Sequence, residues 1–284
     1  MNDSEIFIVG ANGQLGQALL AQYPGAQSAD IDELDITDEQ SVKNFDWTKI
    51  KVILNAAAFT NVDGAETSDG RKTAWQVNAA AVANLAREAM EHDLLLVHVS
   101  TDYVFDGTLT PHTETEVLSP LSVYGESKAA GDLIVSLLPK YYLLRTSWVI
   151  GSGNNFVRTM LKLGKDGVNP SVVSDQIGRL TFTTELVRAI DHLLTNHAAY
   201  GVYNLSNGGT SASWADITRR IFELANFDNT VTDVTTEEYY AGKSGIAPRP
   251  LNSELDLTKI TASGFEPHDW NVDLEAYVKE ELAV

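Results

Sequence analysis

Short, unbroken apolar runs alternate with helix-patterned stretches through the first half of the chain. Ile6-Phe7-Ile8-Val9 is uniformly apolar and ends at Gly10. A strand buried on both faces of a parallel sheet reads this way. Leu15, Leu19 and Leu20 follow at helical spacing. Val52-Ile53-Leu54 is a second buried run, and residues 94–99 a third. Between them, residues 74–90 are Ala-rich, with Trp75, Val77, Val82 and Leu85 spaced as in a helix. Residues 124–138 predict another helix, stopped by Pro139, and residues 142–145 start a further strand. A weaker strand is expected over residues 26–30. Strands alternating with helices predict βαβ units and an α/β fold with a doubly wound parallel sheet. After Trp148 the pattern changes: Gly and Pro punctuate more often, and helices over 184–194 and 214–224 are joined by long loops. A smaller C-terminal α+β portion, capping the open edge of the sheet, is expected there.

Composition narrows the class. The 284 residues are 44% hydrophobic and 21% charged, which is globular. Asp and Glu number 39 against 20 Lys and Arg, a net charge of −19. Such a surface repels phosphate backbones, so no nucleic-acid partner is expected. There is no cysteine, which excludes disulfides, thiolate metal sites and a Cys nucleophile. The six histidines show no metal-ligand spacing, and His98, inside an apolar run, reads as a core residue. No secretory leader and no run near the roughly 18 apolar residues of a membrane span are seen. A cytoplasmic protein with no membrane partner is expected.

Gly10-Ala11-Asn12-Gly13-Gln14-Leu15-Gly16 sits at the first strand–helix junction. In this GxxGxxG variant Gly10 lets the chain turn, Gly13 lets backbone approach a pyrophosphate, and Gly16 lets helix pack on strand. The pattern predicts a Rossmann-like dinucleotide site made of Gly10, Asn12, Gly13, Gln14, Leu15 and Gly16. Asp30, at the end of the expected second strand, would accept from the adenine ribose hydroxyls and repel a 2′-phosphate. Ile31 follows it, so no adjacent Arg receives that phosphate. NADH is the expected cofactor, with NADPH as a second acceptable donor. Asp35 and Ile36 are expected at the adenine pocket.

Tyr124-Gly125-Glu126-Ser127-Lys128 puts Tyr and Lys on one helix face at i and i+4. An ammonium beside a phenol favours phenolate and should lower the Tyr124 pKa, making it a usable acid toward a carbonyl. The pair follows a strand ending in Ser100-Thr101, whose hydroxyls can bond the same carbonyl oxygen. Glycine loop, strand-end hydroxyl and YxxxK, in this order, resemble the extended short-chain dehydrogenase/reductase superfamily.

Longer runs resemble one family within it, the dTDP-4-dehydrorhamnose reductases. They are the run from Asn55-Ala56-Ala57-Ala58-Phe59 to Glu66, Val77-Asn78-Ala79, and Ser100-Thr101-Asp102-Tyr103-Val104-Phe105-Asp106-Gly107. Pro120 to Gly125, Arg145-Thr146-Ser147-Trp148, Asn155-Phe156, Asp175-Gln176-Ile177-Gly178 and Arg249-Pro250-Leu251-Asn252-Ser253 add to them. The resemblance implies reduction of the 4-keto group of a dTDP-6-deoxy-hexulose, with a nucleotide sugar as the small-molecule partner. It implies Thr101, Tyr124 and Lys128 as catalytic residues, and Ala56, Ala57, Ala58, Asn78, Tyr124 and Lys128 against the cofactor. It also implies Thr101, Val104, Phe105, Tyr124, Trp148, Asn155, Phe156, Gln176 and Arg249 against the substrate. Trp148 is open between packing on sugar or thymine and plain core. Arg249 is a cation suited to a diphosphate. A dehydratase would carry Glu after Thr101-Asp102; Tyr103 stands there, which favours simple reduction.

Metal-bridged members of the family carry a glutamate where this chain has Ala18, and Glu185 aligns with another. The incomplete set counts against Mg2+, so no metal ligand is expected. Gly178-Arg179-Leu180-Thr181 also lacks the proline of the family's Gly-x-Pro-Thr segment. Two other readings stay open: a related epimerase, and a non-catalytic subunit like the regulatory subunit of methionine adenosyltransferase. The expected division gives residues 1–147 and about 171–203 to the dinucleotide part, and 148–170 with 204–284 to the substrate part. A monomer or homodimer is expected.

Overall fold

The computed structural model describes residues 2–283. One six-stranded sheet holds β1 (Ile6–Val9), β2 (Gln27–Ala29), β3 (Val52–Asn55), β4 (Leu95–Thr101), β5 (Tyr141–Thr146) and an edge strand, Gly201–Asn204. The order is β2-β1-β3-β4-β5 and then the edge strand, every pair parallel. All four residues of β1 and of β3 are buried, as their apolar runs require, and β3 ends in the buried polar Asn55. The edge strand was not anticipated: Gly-Val-Tyr-Asn is too short and mixed to stand out as a buried run.

Successive strand residues feed opposite cores. Ile6, Ile8, Leu54 and Leu144 pack with Leu15 and Leu19 of α1 (Gln14–Gln22) and with Leu186 and Ile190 of α7 (Thr183–Thr195). Phe7, Ile53, Leu96 and Leu143 pack on the other face. Their partners are Val42 of α2 (Glu39–Asn44), Val82 and Leu85 of α4 (Ala81–Glu91), and Val135 of α5 (Val123–Val135). The helix expected over 74–90 starts earlier, as α3 (Ser68–Trp75), and widens into a π turn over Gln76–Ala80 before α4.

The C-terminal portion is α+β, as expected. A separate core holds Val157 and Leu161 of α6 (Phe156–Lys165), Ile217 and Ile221 of α8 (Trp214–Leu224), and Leu274 and Val278 of the helix Trp270–Ala283. Short strand pairs join it, such as Ser171–Val173 with Thr232–Val234. The chain enters this core past the carboxyl ends of β5 and the edge strand, so it stands over the end of the sheet where ligands bind in doubly wound folds. The expected edge cap is confined to a short segment, where Lys259 Nζ donates to the Val202 carbonyl at 2.6 Å. Among the described residues no helix is long and apolar enough to cross a membrane.

Candidate active site

The glycine loop is built by close backbone approach. Gly10 has φ +77°, and a Cβ there would lie 2.6 Å from the Ala57 amide nitrogen. A Cβ on Gly16 would lie 2.1 Å from the Gly10 carbonyl oxygen. Helix α1 starts after Gly13 without a side-chain cap, leaving its first-turn amides free for an anion. A cleft of about 430 Å³ opens beside them, lined by Gly10, Asn12, Gly13, Asp30, Asp35, Ile36, Ala56, Ala57 and Ala58. No Lys or Arg is among its lining residues. Asp30 anchors the rim: its carboxylate accepts the Asn12 N–H at 2.9 Å and the Ile31 N–H at 2.8 Å. These features fit a dinucleotide: small residues where backbone must approach, free amides for phosphate, a carboxylate for ribose.

Three residues expected at the cofactor stand differently. Leu15 is a core side chain. The Gln14 side-chain oxygen is buried without a hydrogen-bond partner among the described residues. Asn78, in the π turn, is 1% exposed and uses its amide on protein. It donates to the Phe59 carbonyl and Ser127 Oγ and accepts the Phe59 N–H at 2.8 Å. Asn78 thus joins the loop after β3 to α5, and its side chain has no donor left for a ligand.

Helix α5 carries Tyr124 and Lys128. Ser122 caps it by accepting the Gly125 N–H at 3.2 Å, and Glu66 Oε1 accepts the Val123 N–H at 3.0 Å. Gly125 lets the helix approach closely, since a Cβ there would lie 2.3 Å from the Tyr103 carbonyl oxygen. Tyr124 is thereby brought to the end of β4. The Thr101 hydroxyl donates to Asp102 at 3.0 Å and accepts the Tyr103 N–H at 3.2 Å. The Tyr103 ring meets Tyr124 edge-on, 5.6 Å between centroids.

The electrostatics differ from expectation. Burial pushes the Tyr124 phenol up, against a downward pull from the Thr101 hydroxyl; Asp102 and Asp132 push it further up. Lys128 does not draw it down, because its ammonium is turned to the Val99 carbonyl at 2.7 Å, with His98 Nε2 at 3.4 Å. Burial brings Lys128 down to about 8, while Asp132 pulls the other way. Asp102 is buried and pushed up to about 6 by desolvation, although hydrogen bonds from Ser253 and Thr101 oppose this.

The expected substrate residues divide. Trp148 is half-buried at φ +49°, a strained conformation for a bulky side chain, just past β5. Its ring stacks on Trp214 at 3.8 Å, and Phe156 tilts against Trp214 at 4.3 Å. Trp214 was missed as a site residue; it reads in sequence only as a helix start. Val104 and Phe105 are 0% exposed in a core with Ala129 and Leu255, so their side chains do not reach a substrate. Phe105 stacks flat on His112 and lies under Arg145. Asn155 caps α6 instead, accepting the Arg158 N–H at 3.0 Å and donating to the Gly151 carbonyl at 2.8 Å. Gln176 is buried and donates to Thr236 Oγ1 at 3.0 Å. Arg249 pairs with Asp63 at 2.9 Å and lies over the Tyr240 ring. It thereby ties the C-terminal portion to the loop after β3.

Among the described residues Glu185, His268 and Asp273 are spaced to hold an ion. One Glu185 oxygen accepts the His268 N–H at 2.8 Å and the other is paired with Arg188.

Comparison with known proteins follows the same outline. Residues 4–283 match the family described as RmlD substrate binding domain. The chain is 40% identical to a dTDP-4-dehydrorhamnose reductase of Aggregatibacter actinomycetemcomitans, over 94% of this chain and 96% of that protein. The crystal structure of a dTDP-4-dehydrorhamnose reductase ortholog from Clostridium acetobutylicum superposes with a TM-score of 0.89. It is 37% identical, covering 98% of this chain and 99% of that one. The Bacillus anthracis dTDP-4-dehydrorhamnose reductase, solved in complex with NADP, is similar at a TM-score of 0.88 and 36% identity, with 97% and 98% covered.

Proposed function

The chain belongs to the RmlD substrate binding domain family, and from that premise we propose that it reduces the C4 keto group of dTDP-4-dehydro-L-rhamnose to give dTDP-L-rhamnose. The observation that carries the reading is the close approach of α5, with Tyr124, to the carboxyl end of β4, where Thr101 stands.

The first-turn amides of α1, Gly13 and Asp30 would hold a nicotinamide dinucleotide, which would supply the hydride. Thr101 and Tyr124 address the carbonyl oxygen. The phenol is protonated at neutral pH, and burial holds its pKa up, so donation to the developing alkoxide needs the Lys128 ammonium to come close and offset that shift. Thr101 donates to the same oxygen by releasing Asp102. Lys128 stands one turn below Tyr124, where a swing of its flexible stem away from Val99 brings the ammonium toward phenol and ribose. Trp148, Trp214 and Phe156 offer an apolar wall for the sugar or base, and Arg249 a cation for the diphosphate.

The cofactor is NADH in preference to NADPH. Two carboxylates, Asp30 and Asp35, line the cleft and no basic side chain does, so a 2′-phosphate meets repulsion. The NADP bound by the Bacillus anthracis relative is the point against which this preference is tested. Purified protein should oxidise NADH in the presence of dTDP-4-dehydro-L-rhamnose. Replacing Asp30 by Ala should narrow the NADH preference. No NADH oxidation with the keto-sugar refutes the activity; a wild-type enzyme favouring NADPH refutes the role of Asp30.

A further inference from the structure

His98 lies on β4 behind the catalytic pair, 0% exposed, and nothing described so far uses it. Its ring is held from both sides. Nδ1 lies 3.0 Å from Asn55 Nδ2, and Nε2 lies 3.4 Å from Lys128 Nζ. The orientation of the Asn55 amide is set independently. Its Oδ1 accepts the N–H of Ala57, a residue of the dinucleotide cleft, at 3.1 Å. Asn55 Nδ2 therefore faces the ring, and an amide nitrogen only donates. His98 Nδ1 must accept, so the single proton of the neutral ring sits on Nε2. Burial, and then Lys128, keep the ring neutral.

An N–H is thus aimed at the lysine. An ammonium has three donors and no lone pair, and one of its donors is already given to the Val99 carbonyl. Two donors facing each other disfavour the charged form in this position, whereas a neutral amine would accept from Nε2. We propose that His98 is a positioning residue for Lys128: locked by Asn55, it offers the lysine a donor instead of an acceptor and steers the ammonium out of its inner seat toward Tyr124. The proposal rests on the reductase reading only for its purpose.

The other ionisable groups around Lys128 do not duplicate this effect. Asp132, one turn along α5, favours the ammonium, and is itself paired with Arg145 of β5 at 2.9 Å. Tyr124 precedes it on the same helix. The π turn brings the uncharged Asn78 carbonyl, near which a Gly131 Cβ would lie at 2.5 Å.

Two NMR measurements test the proposal without relying on turnover. Long-range 15N spectra should show the His98 proton on Nε2, and in Asn55→Asp, where an acceptor replaces the donor, on Nδ1. The 13Cε titration of Lys128 should hardly move in His98→Gln, which keeps an acceptor for Asn55 and a donor for Lys128. In His98→Phe, which presents no donor, the lysine midpoint should rise by about half a pH unit or more. A wild-type proton on Nδ1, or equal lysine midpoints in the Gln and Phe variants, overturns it. Those spectra read the same whether or not the keto-sugar is turned over, so failure of the activity and failure of the lock are separate results.

Discussion

At the scale of single residues the site combines groups shifted in opposite directions: Tyr124 and Asp102 up, Lys128 down. Burial is the first cause of all three, and it favours whichever form is uncharged. In the proposed reaction Tyr124 is the acid that donates to the substrate oxygen. Tyr124→Phe should lower kcat by about 10²–10⁴-fold, the span of a general acid, with little change in cofactor affinity. Cofactor fluorescence titration alongside steady-state rates separates the two, and near-normal turnover would remove Tyr124 from its role. Asp102 gives a prediction for the protein without substrate. Burial pushes its folded pKa up to about 6, above the usual aspartate range. The folded state therefore keeps a proton that the unfolded state has lost, so stability falls as pH rises through that window. Asp102→Asn should flatten this part of the denaturation profile between pH 4 and 6; an unchanged slope would mean the carboxyl ionises normally.

At the scale of elements, what could be read in the sequence was what packs on both sides. The run at β1 is apolar throughout, β3 and β4 carry apolar cores interrupted only by Asn55, His98 and the strand-end hydroxyls, and the glycine loop announces itself through steric need. The YxxxK helix was found, although it ends at Val135, before the residue expected. Less could be read where a side chain's direction matters more than its type. Val104 and Phe105 follow Thr101 in one motif, yet a short helical turn over Asp102–Val104 sends both inward. Asn155 was grouped with ligand residues because motifs record identity; its geometry is that of a cap. The pairing of Trp148 with Trp214 spans residues far apart in the chain, so no local pattern signals it. The cap reading predicts a separation of stability from chemistry. Asn155→Ala should cost about 1 kcal/mol in chemical denaturation, the usual loss for an N-cap, with kcat/KM little changed. A large loss of kcat/KM at unchanged stability would return Asn155 to the substrate.

At the scale of the molecule, a third core stands over the carboxyl ends of a sheet that carries a core on each face, and the acidic balance of −19 leaves any anionic ligand dependent on local groups. The uncapped first-turn amides of α1 are one such group, and in the proposed reading Arg249, here paired with Asp63, is another; a dication is the other general way to hold phosphate or to join acidic surfaces. The arrangement around Glu185 argues that this chain does not take that way. A divalent ion of the magnesium type needs several hard oxygens free to turn toward it. Glu185 has one oxygen on the His268 amide and the other against Arg188, whose positive charge opposes a second cation. The Ala18 side chain, on the neighbouring α1, has no oxygen to give, and His268 would offer a nitrogen that magnesium disfavours. The proposed chemistry makes no separate demand, since in it Thr101 and Tyr124 address the carbonyl oxygen. Activity should therefore survive exhaustive EDTA treatment, and the sedimentation coefficient should be the same before and after. A fall in rate or mass on chelation, reversed by Mg2+ and abolished in Glu185→Gln, would establish that Glu185 exchanges Arg188 for a metal and that acidic surfaces here are joined by an ion after all.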